Sequence, residues 1–266
     1  MDCDNMILQL KDITLSFTNT PSEVFNLLNG VNLSVKQGEI MALVGGNGTG
    51  KTTLFNIISG FQENFGGDVI FNGKRLNGIP AYRISMMGIG RLFQGRQLMG
   101  DLTLMENMKI ASDDKTGEVP FEPFLFPRKI ARKEREKEEK AVSILKRLFG
   151  ENNKYLGMLN NKASAFSYGE QRLIAITRLL MGNDRLLLLD EPTAGVTPVY
   201  IETIKEIIRK MVHDEGLTVL LIEHNMHFVR ELADTCAYLD EGMIAKVGPA
   251  GVVLDNEEVR NSYLGL

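Results

Sequence analysis

The chain has 266 residues, 44% of them hydrophobic, enough to bury the core of one large domain or two small ones. A net charge of −4 argues against a general nucleic-acid-binding surface, and two cysteines, Cys3 and Cys236, do not make a disulfide framework and suit a reducing compartment. No apolar run approaches the length that crosses a bilayer, and the acidic start Met1-Asp2-Cys3-Asp4 lacks a signal-peptide pattern, so the expectation is a soluble chain that works at a membrane only by docking onto something that spans it.

In chain order, Ile13, Leu15 and Phe17 alternate with polar residues, as do Val31, Leu33 and Val35, and both stretches read as strands. Gln37-Gly38 turns the chain into Ile40 to Val44, a continuous apolar run that reads as a buried strand. Gly45-Gly46-Asn47-Gly48-Thr49-Gly50-Lys51-Thr52 follows and matches the phosphate-binding loop pattern G-x-x-x-x-G-K-[ST]. Thr52 to Ser59 then reads as a helix, stopped by Gly60. Strand, glycine loop and helix together point backbone N–H groups at a phosphate chain. Glycines let the backbone wrap phosphate oxygens where a Cβ would clash. Lys51 supplies a positive charge for the β- and γ-phosphates, and the Thr52 hydroxyl is a ligand type for Mg²⁺. The competing account is a glycine turn with a chance Lys-Thr, and the strand before and helix after weigh against it. Val69-Ile70-Phe71, Asn72-Gly73 and Lys74 read as a hairpin, so a block of antiparallel strands is expected to surround the loop's strand.

Composition changes after Gln94. Residues 95 to 166 read mostly as helix, broken in the middle by Pro120, Pro123 and Pro127. Arg128 to Lys140 is almost solid charge, with Glu136 and Lys140 four apart and Glu134 and Lys137 three apart, the plain pattern of a solvated helix face. Ala141, Val142, Ile144, Leu145, Leu148 and Phe149 continue it as a helical apolar stripe. Ser167 is a natural N-cap with Glu170 three residues on, a capping-box pattern. A helix N-terminus with a hydroxyl is also an anion site, and spacing alone does not choose between the two. Gln171 to Met181 reads as helix and Arg185 to Leu189 as a buried strand ending in Asp190-Glu191. At the carboxyl end of a parallel strand Asp190 is placed to hold Mg²⁺ and Glu191 to orient or deprotonate an attacking water; a surface Asp-Glu turn is the alternative. Ile201 to Val212 is an amphipathic helix, Leu217 to Ile222 another buried strand, and Tyr238-Leu239 and Met243-Ile244 flank Asp240-Glu241-Gly242 as a hairpin. His224 and His227 share a helix spacing but have no third Cys or His ligand nearby, which argues against zinc. Strand–helix alternation implies an α/β fold, a parallel sheet covered by helices, with the helical segment inserted into it.

Five ordered segments carry a resemblance to a known family. After the phosphate loop come Arg91-Leu92-Phe93-Gln94, similar to a Q-loop, and Phe166 to Glu170, similar to a signature motif that is commonly Leu-Ser-Gly-Gly-Gln. Glu191-Pro192-Thr193-Ala194-Gly195 resembles the step from Walker B into the D-loop, and Leu221-Ile222-Glu223-His224 a switch-histidine segment. From about Ile7 to Leu264 the chain resembles an ATP-binding cassette (ABC) ATPase. That resemblance implies a P-loop ATPase core with a RecA-like parallel sheet, an antiparallel β subdomain and an inserted α-helical subdomain. Residues 1–94 and 167–250 would form the core with its β subdomain, 95–166 a mostly helical insertion extending into the signature helix, and 251–266 a short helical tail.

The resemblance also implies roles. Gly45, Gly46, Asn47, Gly48, Thr49, Gly50, Lys51, Thr52 and Thr53 would cradle the phosphates of ATP, with Lys51 also catalytic. Thr52, Gln94 and Asp190 would hold Mg²⁺, Glu191 would be the catalytic base, His224 would be catalytic through the γ-phosphate, and Gln94, also catalytic, would link the Mg²⁺ and water site to the helical subdomain that contacts the transporter. Ser167 and Gly169 would bind the γ-phosphate of ATP held by a second ATPase subunit. Phe17 would stack on adenine, with Phe25 as its rival and a core aromatic as the other account. Tyr168 replaces a signature Gly, Phe166 the leading Leu, and Thr197 stands where the D-loop often has Asp or Asn. Ser-Tyr-Gly, Glu-Pro-Thr-Ala-Gly-Val-Thr-Pro, the ending Asn261-Ser262-Tyr263-Leu264-Gly265 and the long insertion resemble the ATPases of branched-chain amino acid importers, with urea or amide importers and lipid or lipopolysaccharide exporters close behind. The implied setting is the cytoplasmic face of a membrane, with permease subunits, an extracytoplasmic solute-binding protein and no nucleic acid. A soluble ABC ATPase acting on ribosomes or DNA lacks support, since this chain has neither two cassettes nor a long coiled coil. A P-loop kinase would leave the signature segment and His224 without a task.

Overall fold

The computed structural model describes residues 5–20, 23–95, 98–112 and 126–264. Cys3, Pro120, Pro123 and Gly265 lie outside them. The alternating N-terminal stretches form two long antiparallel strands, β1 (Met6–Thr20) and β2 (Glu23–Lys36). Their register places Leu10 opposite Leu33, Ile13 opposite Val31 and Leu15 opposite Leu28, all six buried; the irregularity between Leu10 and Ile13 offsets the period of two, so residues three apart share the buried side. β4 (Gly66–Phe71) pairs with β1, and β5 (Lys74–Arg75) with β4, giving a four-stranded sheet in the order β2-β1-β4-β5.

The second sheet has six strands in the order β10-β9-β3-β8-β7-β6. These are β3 (Ile40–Val44), β6 (Ile89–Leu92), β7 (Leu186–Asp190), β8 (Thr218–Ile222), β9 (Thr235–Asp240) and β10 (Met243–Pro249). All pairings are parallel except that of β10 with β9. Every residue of β3, β7 and β8 is buried, which is why these strands read as unbroken apolar runs. The expectation that antiparallel strands surround β3 is corrected: its neighbours are β8 and β9, both parallel, and the antiparallel strands form a sheet of their own. One apolar core, with Phe55 and Phe71 among its largest members, joins residues of both sheets.

Contacts divide the chain into two units: Met1–Gln94 with Asp184–Ala194 and Ile208–Leu266, and Gly95–Asn183 with Gly195–Ile207. Both sheets belong to the first, with helices α1 (Lys51–Ile58) and α2 (Ala81–Met86). The second is helical, built on α3 (Leu104–Ile110), α4 (Pro127–Phe149) and α5 (Tyr168–Thr177). It runs on through Asn183 and so includes the helix that begins at Tyr168. Helix α6 (Pro198–His213) contributes to both units, and α7 (Met226–Leu232), α8 (Ala250–Leu254) and α9 (Glu257–Leu264) complete the first.

Pro127 starts α4 at its first turn rather than breaking a helix, since a proline there forfeits no helical hydrogen bond. Ala141, Ile144, Leu145 and Leu148 are its buried stripe. On its charged half Lys137 pairs with Glu134 at 3.2 Å, as expected. Glu136 pairs instead with Arg132 at 3.4 Å, while Lys140 donates to the carbonyls of Met181 and Gly182 at 2.8 and 3.2 Å. Lys140 thus satisfies carbonyls at the end of the 3₁₀ turn Arg178–Met181, which finishes the helix expected over Gln171 to Met181.

Candidate functional site

Four neighbouring parallel strands deliver the site. β3, β8, β7 and β6 lie side by side, and their carboxyl ends lead into the glycine loop, His224, Asp190-Glu191 and Gln94 respectively. Parallel strands open their loops on one edge, so residues far apart in sequence converge there. Gly50 takes φ 101° and serves as N-cap of α1 without a side-chain cap, so the first N–H groups of the helix face the loop. Leu27, Asn47, Gly48, Gly50, Lys51, Thr52, Thr53, Glu191 and His224 line a cavity of about 320 Å³. The Lys51 ammonium donates to the carbonyls of Gly45 (2.8 Å) and Gly46 (2.6 Å). Burial lowers the Lys51 pKa, opposed by the nearby carboxylates of Glu191 and Asp190.

Glu191 is held from two sides. His224 Nε2 lies 3.1 Å from one carboxylate oxygen, and Gln94 Nε2 donates to the other at 2.8 Å. Its backbone sits at φ 48°, a left-handed conformation that costs a non-glycine residue about 1 kcal/mol. The Glu191 N–H to Ile222 carbonyl bond, 2.9 Å, helps hold it there. Asp190 lies 3.6 Å from the buried guanidinium of Arg91. Phe17 and Phe25 sit directly opposite each other across β1 and β2, and both are exposed, so the account of Phe17 as a core aromatic is corrected. Among the described residues no group of three His, Cys, Asp or Glu is placed to hold a metal. Cys236 is buried, and burial pushes its thiol up to about 12.

The ABC transporter family profile matches residues 28–194. The chain belongs to the ABC transporter family. It is 32% identical to the high-affinity branched-chain amino acid transport ATP-binding protein BraF of Pseudomonas aeruginosa, over 97% of this chain and 98% of that one. It is also 32% identical to the protein of the same description, LivG, of Escherichia coli, over 90% and 91%. The crystal structure of an ATP-binding cassette of an ABC transporter in its ADP conformation superposes with a TM-score of 0.81, at 32% identity over 98% of this chain and 99% of that one. A dimeric cassette in a post-hydrolysis state with ADP and phosphate gives 0.72, at 25% identity over 91% and 98%. The chain is an ATP-binding and ATP-hydrolysing cassette with the α/β P-loop fold, and no helix among its described residues is long and apolar enough to cross a membrane.

In the helical unit of this ABC ATPase, Ser167 caps α5 through a complete capping box with Glu170. The capping-box reading of this segment is thus the one the geometry displays. Tyr200 Oη lies 3.3 Å from Ser167 Oγ, and Tyr168 packs against Gly195.

Sequence reasoning missed two residues of the nucleotide unit. The buried Glu223 carboxylate accepts from Thr193 N and Oγ1 (2.8 and 2.6 Å) and from the amides of His224 and Asn225 (3.0 and 3.3 Å). It therefore ties the turn after Glu191 to the turn that carries His224. An acid at the end of an apolar strand, one residue before a histidine, was the available signal. Arg91 donates to Ser59 Oγ at 2.6 Å and stacks 4.4 Å from the centroid of Phe93, beside Asp190. With Phe61, Tyr82 and Phe93 it lines a second cavity of about 430 Å³, whose three rings are exposed.

Proposed function

We propose that this cassette drives import of branched-chain amino acids, docked on membrane permease subunits at the cytoplasmic face and paired with a second cassette. The observation that carries the ATPase chemistry is the Glu191 carboxylate held between His224 and Gln94 at the mouth of the glycine-loop cavity. Glu191 takes a proton from water as the water oxygen bonds to the γ-phosphorus, and the bond from phosphorus to the bridging oxygen breaks, leaving ADP and phosphate. His224 orients Glu191 and reaches the γ-phosphate, while Gln94 fixes the second carboxylate oxygen. Phosphate oxygens accept from the loop amides and from the Lys51 ammonium, which exchanges its two carbonyl partners for them. Phe17 or Phe25 supplies a ring face for adenine.

The Thr52 hydroxyl, the Asp190 carboxylate and the Gln94 amide oxygen are hard oxygen donors of the kind Mg²⁺ takes, so they fit that ion. When bound, Mg²⁺ neutralises charge on the β- and γ-phosphates. Ser167 and Gly169 close on the γ-phosphate of the partner cassette's ATP. The dimeric relative supports the pairing, and near-complete coverage of BraF and LivG supports the cargo and an accompanying extracytoplasmic solute-binding protein. The exposed Phe61, Tyr82 and Phe93 beside Gln94 form the permease contact.

Glu191→Gln tests the site. It keeps the side chain's shape and removes the base. The expected outcome is ATP binding at parental affinity, hydrolysis reduced by about 10²–10⁴, and an ATP-dependent dimer detected by light scattering. Hydrolysis at the parental rate removes Glu191 from the role of base.

A further inference from the structure

We infer that Lys154 is a positioning residue for closure on the partner cassette's nucleotide: it neutralises Glu170, so that an acid works where the signature motif commonly carries glutamine. The inference rests on the two-cassette reading above. Of the departures in Phe166-Ser167-Tyr168-Gly169-Glu170, only Glu170 adds a charge. That charge falls in the first turn of α5, the helix end whose hydroxyl and amides would receive a phosphate. One Glu170 oxygen accepts from Ser167 N and from Ser167 Oγ, each at 2.8 Å. Left alone, this carboxylate would hold the serine hydroxyl, use the favourable field of the helix end and repel an approaching phosphate.

Lys154 offsets that repulsion. Its ammonium binds the other Glu170 oxygen, and the pair is asymmetric: the Glu170 side chain is 13% exposed and that of Lys154 57%. Burial works to raise the Glu170 pKa, but the hydrogen bonds from Lys154 and Ser167 outweigh it and leave it lowered; the bond to Glu170 raises that of Lys154. Both stay ionised at neutral pH, so Glu170 is a compensated charge rather than a protonated stand-in for an amide.

The surroundings fix the lysine where it is needed. It begins the 3₁₀ turn Lys154–Met158, which Asn153 ties down by donating to the carbonyls of Leu145 (3.1 Å) and Gly150 (2.6 Å). The next residue, Tyr155, is buried against Phe149 and Phe166, with ring centroids 4.8 and 6.3 Å away. On the other side of the segment the Tyr200 ring covers Gly169 so closely that a Cβ there would lie 2.7 Å from Cε2. Ser167 Oγ therefore has Glu170 on one side and the Tyr200 hydroxyl on the other. The hydroxyl is presented by a rigid frame, and Lys154 determines whether that frame carries a net negative charge.

The test uses the full chain in the Glu191→Gln background, reading by light scattering the ATP concentration that gives half dimer. Lys154→Met is expected to raise that concentration about tenfold, a shift that added salt narrows because the lysine is exposed. Glu170→Gln alone is expected to leave it unchanged or lower it, and Lys154→Met with Glu170→Gln to return it to within about twofold of the background protein. Removing the opposing charge cannot repair lost packing, so this rescue separates charge from folding, with thermal unfolding of each variant as a check. A Lys154→Met protein that pairs like the background overturns the inference. So does a loss that Glu170→Gln fails to restore, or a rise with Glu170→Gln alone. If the background protein itself does not pair with ATP, the two-cassette reading fails and takes this inference with it.

Discussion

The left-handed backbone of Glu191 shows how much of the site depends on one residue that never faces the cavity. Glu223 is buried and takes up donors from Thr193, His224 and Asn225, so both turns that deliver Glu191 and His224 hang on its two oxygens. Glu223→Ala leaves those donors without their acceptor. Each buried unsatisfied group costs about 1–3 kcal/mol, and relaxation and water recover part, so a total near 3 kcal/mol is expected. At about 2–4 °C per kcal/mol for a chain of this size, melting falls by roughly 6–12 °C. Because the donors that Glu223 holds lie in the turns carrying Glu191 and His224 and not in the glycine loop, the maximal ATPase rate should fall more than nucleotide affinity. Thermal unfolding, fluorescence titration and steady-state kinetics together check this. A variant that melts early but keeps its turnover would assign Glu223 to stability alone.

Elements were legible where their pattern was pure. β3, β7 and β8 are buried on both faces and read as apolar runs, and the glycine loop announces itself through Gly50 and Lys51. β6 escaped because four residues with Gly90 and Arg91 among them carry no apolar run, although its parallel pairing with β7 is complete. Arg91 looks like a surface residue in sequence, and only the pairing shows its guanidinium beside Asp190. The ion pairing along α4 escaped for a different reason: which cation meets which acid depends on tertiary neighbours, as Lys140 shows by sending its ammonium to the carbonyls of Met181 and Gly182. The same logic sets a pH dependence. Lys109 of α3 reaches Glu134 and Glu138 of α4 at 2.6 and 3.2 Å, and the bond from Lys109 outweighs burial to lower the Glu134 pKa. A depressed carboxylate pKa means that the contribution is present above the unfolded-state value and is lost as pH falls through the folded one. Lys109→Met is therefore expected to cost about 0.5 kcal/mol at neutral pH, small because the acids are half exposed, and less in the acid range. Melting curves of both proteins across pH 3–7 measure the convergence.

At the scale of the whole molecule, the exposed rings of Phe61, Tyr82 and Phe93 have a bearing on partnership. Covering a ring of this kind is worth about 2 kcal/mol, and these rings line a cavity whose wall includes Arg91. Phe61→Asp with Tyr82→Asp is expected to abolish co-purification with the permease while the isolated cassette keeps its ATPase activity. Retention of the permease would move the contact elsewhere. The strand order carries a further consequence, for synthesis. β3 is complete at Val44, yet both its neighbours come from residues 218–240. While the chain leaves the ribosome, the strand that holds the glycine loop has two bare edges for nearly two hundred residues of translation. Such edges invite wrong pairing, and closing a sheet across so long a loop is slow. Until β8 slots between β3 and β7, the newborn protein needs protection that its finished fold no longer does.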